Sequence, residues 1–147
     1  MRCQVVALRT RKAFTLVELA VVIVIIGVLA AFGVPRFLKS VERAKAAEAF
    51  SYLSAVRAAQ ERYSARQGTY ASDLTTLDIK LSQPKYFTVG AVGPGLTGSL
   101  QDSWSITMTR TGASSGYGSY TVTFTDGGFD TTNSTIAALP DINPMGD

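Results

Sequence analysis

A carboxylate at position 18 is the fifth residue of an otherwise apolar run, and residues 19–35 hold no charge at all. In a bilayer an ionised side chain there costs on the order of a few kcal/mol. The chemistry open to Glu18 is therefore electrostatic: it needs a cationic partner, and no Lys or Arg lies near it within the run. A second group of oxygens stands at Asp126, Asp130 and Asn133, in the stretch Asp-Gly-Gly-Phe-Asp-Thr-Thr-Asn. Clustered Asp and Asn between Gly turns can ligate Ca²⁺. Asp-Gly-Gly is equally an everyday turn, and the spacing is not that of an EF-hand. Asn133-Ser134-Thr135 fits a glycosylation sequon, a short pattern that arises often by chance.

The inventory narrows the chemistry further. The 147 residues contain no His, so there is no His general base, no Ser-His-Asp triad and no His metal site. The single cysteine, Cys3, rules out a disulfide framework within the chain. Asp, Glu, Lys and Tyr form no catalytic grouping along the sequence, and the chain reads as a non-enzyme. Its 14 basic residues against 11 acidic invite a nucleic-acid reading. Four of the basic residues (Arg2, Arg9, Arg11, Lys12) lie in residues 1–13, however, and beyond them the balance tips slightly acidic. No domain-wide basic face is left for phosphates, so no specific nucleic-acid partner is expected.

The elements that position Glu18 are a basic head and a membrane-length helix. Residues 14–35 span about 33 Å at ~1.5 Å per residue, enough for a bilayer core of about 30 Å. Basic residues ahead of the run keep the N-terminus cytoplasmic and export the remainder. Two plain readings fit this much: a secretory signal peptide cleaved after Val28-Leu-Ala30, or an ordinary signal anchor. Neither accounts for Glu18.

Lys-Ala-Phe-Thr-Leu-Val-Glu (residues 12–18), followed by the apolar run and Pro35, resembles the class III signal of type IV pilins and type II secretion pseudopilins. The resemblance implies cleavage by a prepilin peptidase between Ala13 and Phe14 and N-methylation of Phe14. It makes Glu18 the family's acidic position, facing the amine of a neighbouring subunit, and Pro35 its helix-kinking proline. It also implies that the stretch between Gly27 or Gly33 and Pro35 loosens on assembly. Ala13 is a departure, because the family usually has Gly before the cut.

Helical character continues beyond Pro35. Residues 36–66 are rich in Ala, Glu, Lys, Arg and Leu. Phe50, Leu53, Val56 and Tyr63 recur at helical spacing beside Ala46, Ala49 and Ala59, which predicts one buried face. Glu42, Lys45, Glu48, Arg57, Glu61 and Arg62 are assigned to the solvent side, and Glu42–Lys45 and Lys45–Glu48 are i, i+3 pairs. Gly68 is the expected stop. One helix over residues 14–67, about 80 Å long, follows. Pro35 removes a backbone bond to the carbonyl of Ala31 and favours a kink.

Residues 68–84 read as a loop. Strands are expected at 86–89, 104–109 and 120–125, the last two alternating apolar with polar and joined through the Gly/Ser-rich turn 112–118. The sheet is expected to be antiparallel, with Trp104, Ile106, Met108, Tyr120, Val122 and Phe124 on the helix and the Thr-rich face toward solvent. Asp102-Ser-Trp104-Ser resembles the Asp-Pro-Trp-Gly run of major pseudopilins without its Pro and Gly. With no C-terminal cysteine pair, packing or a metal must hold the C-terminal segment.

The expected organisation is α+β: a basic leader (1–13, removed), a transmembrane and filament-core half-helix (14–35), an amphipathic half-helix (36–67) and a small β domain with loops (68–147). The resemblance implies a structural subunit of a type IV pilus, with a type II secretion pseudopilin as the alternative. It implies a homo-oligomeric filament, a prepilin peptidase, an inner-membrane assembly platform and the lipid bilayer as partners. The precursor then sits in a bacterial inner membrane, and the assembled form is a surface pilus or periplasmic pseudopilus. No cofactor is expected, calcium at the Asp126–Asn133 stretch being the one candidate.

Overall fold

The computed structural model describes residues 14–80 and 82–146. One helix, α1, covers Leu16–Gln67. Five strands follow: β1 Phe87–Val89, β2 Gly93–Pro94, β3 Trp104–Arg110, β4 Thr121–Thr125 and β5 Gly128–Phe129. Short 3-10 turns lie at Leu74–Thr76 and Thr135–Ala138. The chain divides into two compact units after Arg36.

In the first unit the apolar side chains of α1 are uncovered: Leu16, Val17, Ile23, Val24 and Leu29 are all more than half exposed. Among the described residues α1 is the one helix long and apolar enough to cross a membrane. Its helical assignment runs through Pro35. The leader and Ala13 lie outside the described residues.

In the second unit, Phe37–Asp147, the rest of α1 lies on an antiparallel sheet ordered β1-β3-β4-β5, with β2 pairing the far half of β3. The break between β1 and β2 falls at Gly90, whose N–H donates to the Thr107 carbonyl at 2.9 Å. A Cβ there would stand 2.7 Å from that same oxygen, so only glycine permits the approach. Trp104, Ile106 and Met108 of β3 and Val122 and Phe124 of β4 point inward, onto Ala46, Ala49, Leu53 and Val56 of α1. Ala46, Ala49 and Ala59 bring the helix backbone close to the sheet. Phe50 fills the remaining space edge-on to Phe124 at 5.7 Å. Gly68 ends α1 with φ at +74° and its N–H on the Ser64 carbonyl, the left-handed stop expected of it.

The strands differ from expectation at their ends. Tyr86 and Tyr120 fall outside β1 and β4, while β3 extends to Arg110, whose N–H donates to the Tyr120 carbonyl. β2 and β5, of two residues each, are too short for alternation to reveal them. The loop after α1 contains the Leu74–Thr76 turn, capped by Asp73 accepting from the Thr75 N–H at 2.8 Å. Gln60 fastens that loop from inside: its side-chain amide donates to the Ala71 carbonyl and accepts from the Ala71 N–H, at 2.9 and 2.8 Å.

Packing and hydroxyl rungs hold the C-terminal segment. The Thr123 N–H donates to Ser134 Oγ at 2.8 Å and the Thr121 N–H to Thr135 Oγ1 at 2.7 Å. Side-chain oxygens thus take the place of a further strand along β4 and cover its edge. Ile136 and Ile142 are fully buried behind them.

Glu42 requires a correction. It sits on the buried face of α1 rather than the solvent side, fully inaccessible, with Arg110 of β3 against it. Its partner is 68 positions away, beyond the reach of helical periodicity.

Candidate functional site

The start of α1 is built around Thr15 and Glu18. Thr15 stands at the cap position and Glu18 is the third residue of the helix. Glu18 Oε2 accepts from the Thr15 N–H at 2.9 Å and from Thr15 Oγ1 at 2.8 Å, and the Glu18 N–H returns to Thr15 Oγ1 at 3.2 Å. This is a capping box, in which an acid three residues into a helix satisfies donors that have no helical partner. The Thr-x-x-Glu spacing carries that signal in the sequence. Both Thr15 donors converge on Oε2, and among the described residues no donor reaches Oε1. Phe14 immediately precedes the box and is 82% exposed. Glu18 thus has Oε2 engaged by Thr15 among the described residues. Pro35 lies inside α1, with no side-chain contact to this site among those described.

Asp130 and Asn133 are brought together. Asp130 Oδ1 accepts from the backbone N–H groups of Thr132 and Asn133 at 2.9 and 3.1 Å, and Oδ2 accepts from Asn133 Nδ2 at 2.7 Å. These bonds, the Asn133 side chain first, hold the Asp130 carboxyl below its usual range. Asp126 takes another role: its backbone carbonyl accepts from Arg57 Nε at 2.9 Å. Among the described residues no three His, Cys, Asp or Glu side chains are grouped as metal ligands. The sequon residues are structural participants, because Ser134 and Thr135 supply the hydroxyl rungs and the Asn133 amide donates to Asp130. Trp104, in the stretch compared with Asp-Pro-Trp-Gly, is a core residue.

The strongest electrostatic cluster is one that sequence reasoning leaves dispersed. Arg110 meets Glu42 through Nε at 2.5 Å and Nη2 at 3.1 Å. The Tyr120 hydroxyl donates to Glu42 Oε1 at 2.9 Å, and Lys45 Nζ approaches Oε2 at 3.4 Å. Burial pushes the Glu42 carboxyl up, but the bonds from Arg110 and Tyr120 outweigh it and hold the group below its ordinary value. Burial and the bond to Glu42 push the Tyr120 phenol up. Glu42, Arg110 and Tyr120 are closed to solvent and join helix to sheet.

Comparison with known proteins bears on the start of α1. Residues 8–34 match the prokaryotic N-terminal methylation motif. The N-terminal segment is similar to that of type IV pilins and pseudopilins. Relatives carry the same message. The type IV major pilin protein PilA of Myxococcus xanthus is 40% identical over 60 residues, 41% of this chain and 27% of that protein. The type IV narrow pilus major component PilA5 of Thermus thermophilus is 52% identical over 48 residues, 33% of this chain and 41% of that protein. The type II secretion system core protein G of Pseudomonas aeruginosa is 34% identical over 76 residues, 52% of this chain and 54% of that protein. The matched stretches thus span from about a quarter to about half of these relatives' lengths. The matched stretch includes Phe14 and Glu18. It also fits the α+β fold, in which a long N-terminal helix packs its second half on a small antiparallel sheet.

Proposed function

We propose that this chain is a structural subunit of a type IV pilus. The observation that carries the reading is the run Phe14-Thr-Leu-Val-Glu18 opening a helix whose first apolar side chains are uncovered. Prepilin peptidase cuts between Ala13 and Phe14 and methylates the new amine. The precursor waits in the inner membrane with residues 1–13 in the cytoplasm. On assembly, burial of the stretch 14–34 against copies of itself supplies most of the free energy. Glu18 sets the register: its second oxygen receives the Phe14 amine of a neighbouring subunit, where a low dielectric strengthens one charge pair. An assembly platform in the inner membrane drives the step, and the sheet domain faces outward.

A second reading, a pseudopilin of a type II secretion system, is favoured by the match to the Pseudomonas core protein G, whose 76 residues exceed those matched to the two pilins above. Shearing cells that express the native gene, followed by mass spectrometry of sheared and membrane fractions, separates the readings. An N-methylated Phe14 peptide abundant in the sheared fraction is the result expected. Confinement of that peptide to the membrane fraction selects the pseudopilin. An intact Met1, or a terminus after Ala30, overturns both.

A further inference from the structure

The outward face of the sheet carries a groove that the filament reading does not use. It encloses about 430 Å³ between the loop at Pro94–Leu96 and the turn at Asp130–Asn133. Its floor is Ser105 and Thr107 of β3 beside Thr125 and Thr123 of β4. It continues past Asp130 and Asn133 into a second depression, of about 340 Å³, that reaches Phe129.

The floor hydroxyls are fixed by bonds to the protein. Thr123 Oγ1 donates to the Asn133 carbonyl at 3.0 Å, which leaves Thr107 Oγ1 to donate to Thr123 Oγ1 at 2.9 Å. Thr125 Oγ1 and Ser105 Oγ make longer bonds, 3.4 Å each, to the carbonyls of Gly128 and Pro94. Thr123 and Thr107 have thereby used their protons, Thr125 and Ser105 hold theirs only on long bonds, and all four retain lone pairs. Asn133 has given one amide proton to Asp130 and keeps a second, together with its carbonyl oxygen. The groove is consequently rich in acceptors and short of donors. A ligand that fits it brings many donors of its own.

Charge narrows the class. Among the described residues Asp130 is the one ionisable group in the lining of either depression, so an anion is repelled. Its two oxygens already accept three N–H bonds, so it is a poor anchor for a metal or an organic cation. At the rim Leu96 is 94% exposed, an apolar side chain with nothing of its own chain over it. A ligand that offers hydroxyl protons to the floor and a C–H face to the rim satisfies both. We infer that this groove binds a neutral saccharide, its hydroxyls donating to Ser105, Thr107, Thr125 and Asn133 and its apolar face against Leu96. The size accommodates one to two sugar rings, within the range of small-ligand sites.

The test uses the full chain in micelles of a detergent without a sugar headgroup. Methyl β-glucoside, methyl β-galactoside, N-acetylglucosamine and their β-1,4 dimers are titrated while amide resonances are followed by NMR. Saturable shifts at the Asn133 side-chain amide and at the backbone amides of Gly95 and Thr125 are expected. Leu96→Asp, an exposed change that leaves the core untouched, should weaken binding by about tenfold, as should Asn133→Ala. Two results overturn the inference: no saturable shift at these groups with any of the sugars up to their solubility limits, or shifts there with spermidine and not with sugar. Neither depends on whether the chain assembles into filaments.

Discussion

Arg110 commits its entire guanidinium to one carboxylate and three backbone carbonyls. Nε and Nη2 reach the two oxygens of Glu42, Nη2 also donates to the Ala113 carbonyl at 2.7 Å, and Nη1 donates to the carbonyls of Tyr86 and Thr111. All five protons are used, which is the condition under which a buried ion pair is tolerable. The single substitutions Glu42→Met and Arg110→Met should each cost about 3–5 kcal/mol, because each strands a charge in the core. Replacing both by Met should recover most of that loss. Urea unfolding of the full chain in micelles, monitored on the sheet, measures the four corners of the cycle. Additive losses in the double variant would contradict the pairing.

The same pair gives the domain an acid limit. The folded pKa of Glu42 lies below its ordinary 4.5, so the stability it contributes is fully present above that value. It is lost as pH falls through the lower folded value. Glu42→Gln should therefore be less stable than the parent at neutral pH and less sensitive to acid below about 4.5. Thermal midpoints from pH 7 to pH 3 test this. Parallel curves for parent and variant would exclude Glu42 as the group responsible.

What the sequence makes legible follows from the range of each interaction. Phe14, Thr15 and Glu18 are neighbours in sequence, and a local motif reveals them. Gly68 and the alternation of Trp104, Ile106 and Met108 are likewise local signals of backbone geometry and of a half-buried strand. Glu42 is different. Its spacing from Lys45 is that of a surface pair, and the 3.4 Å contact exists, yet a partner in β3 turns the carboxylate inward. Gln60 and Ser134 belong to the same class: polar residues buried because a backbone group distant in sequence or on another strand needs them. At Glu18 the carboxylate read as a membrane charge proves also to be half of a helix cap, made through Oε2.

Gln60 offers a direct measure of such long-range satisfaction. Gln60→Ala leaves the Ala71 N–H and carbonyl buried and unpaired, at about 1–3 kcal/mol for each group left without a partner. Gln60→Glu preserves an acceptor for the N–H but loses the donor and places a carboxylate at a fully buried position, so at neutral pH it should be at least as destabilising as Ala. Hydrogen exchange at the Ala71 amide, faster in both variants, locates the effect. Unchanged protection in Gln60→Ala would show that this bond contributes little.

Thr15 should separate the cap from the charge. Thr15→Val removes the hydroxyl that donates to Glu18 and loses about 0.5–2 kcal/mol of helix start. Thr15→Ser keeps it. Glu18→Leu removes cap and charge together. Membrane insertion should be equal in all three, while filament yield should fall partly in Thr15→Val, be retained in Thr15→Ser and collapse in Glu18→Leu. Quantitative blotting of sheared and membrane fractions provides both numbers. A normal yield from Glu18→Leu would remove the carboxylate from the assembly step.

Calcium is the remaining discriminator between the two filament readings. In the described chain both oxygens of Asp130 are occupied by N–H donors from Thr132 and Asn133, and Asn133 aims its amide protons at the position a cation would take. Binding Ca²⁺ there requires the Asn133 side chain to turn over and the Asp130 bonds to break. The turn is closed by those bonds and backed by the Ser134 and Thr135 rungs. Thermal unfolding of the full chain in micelles should therefore be the same in millimolar calcium and in excess chelator. A large upward shift with calcium, abolished by Asp130→Ala, would reverse that ordering. It would mean that the turn reorganises around the ion and would favour the pseudopilin.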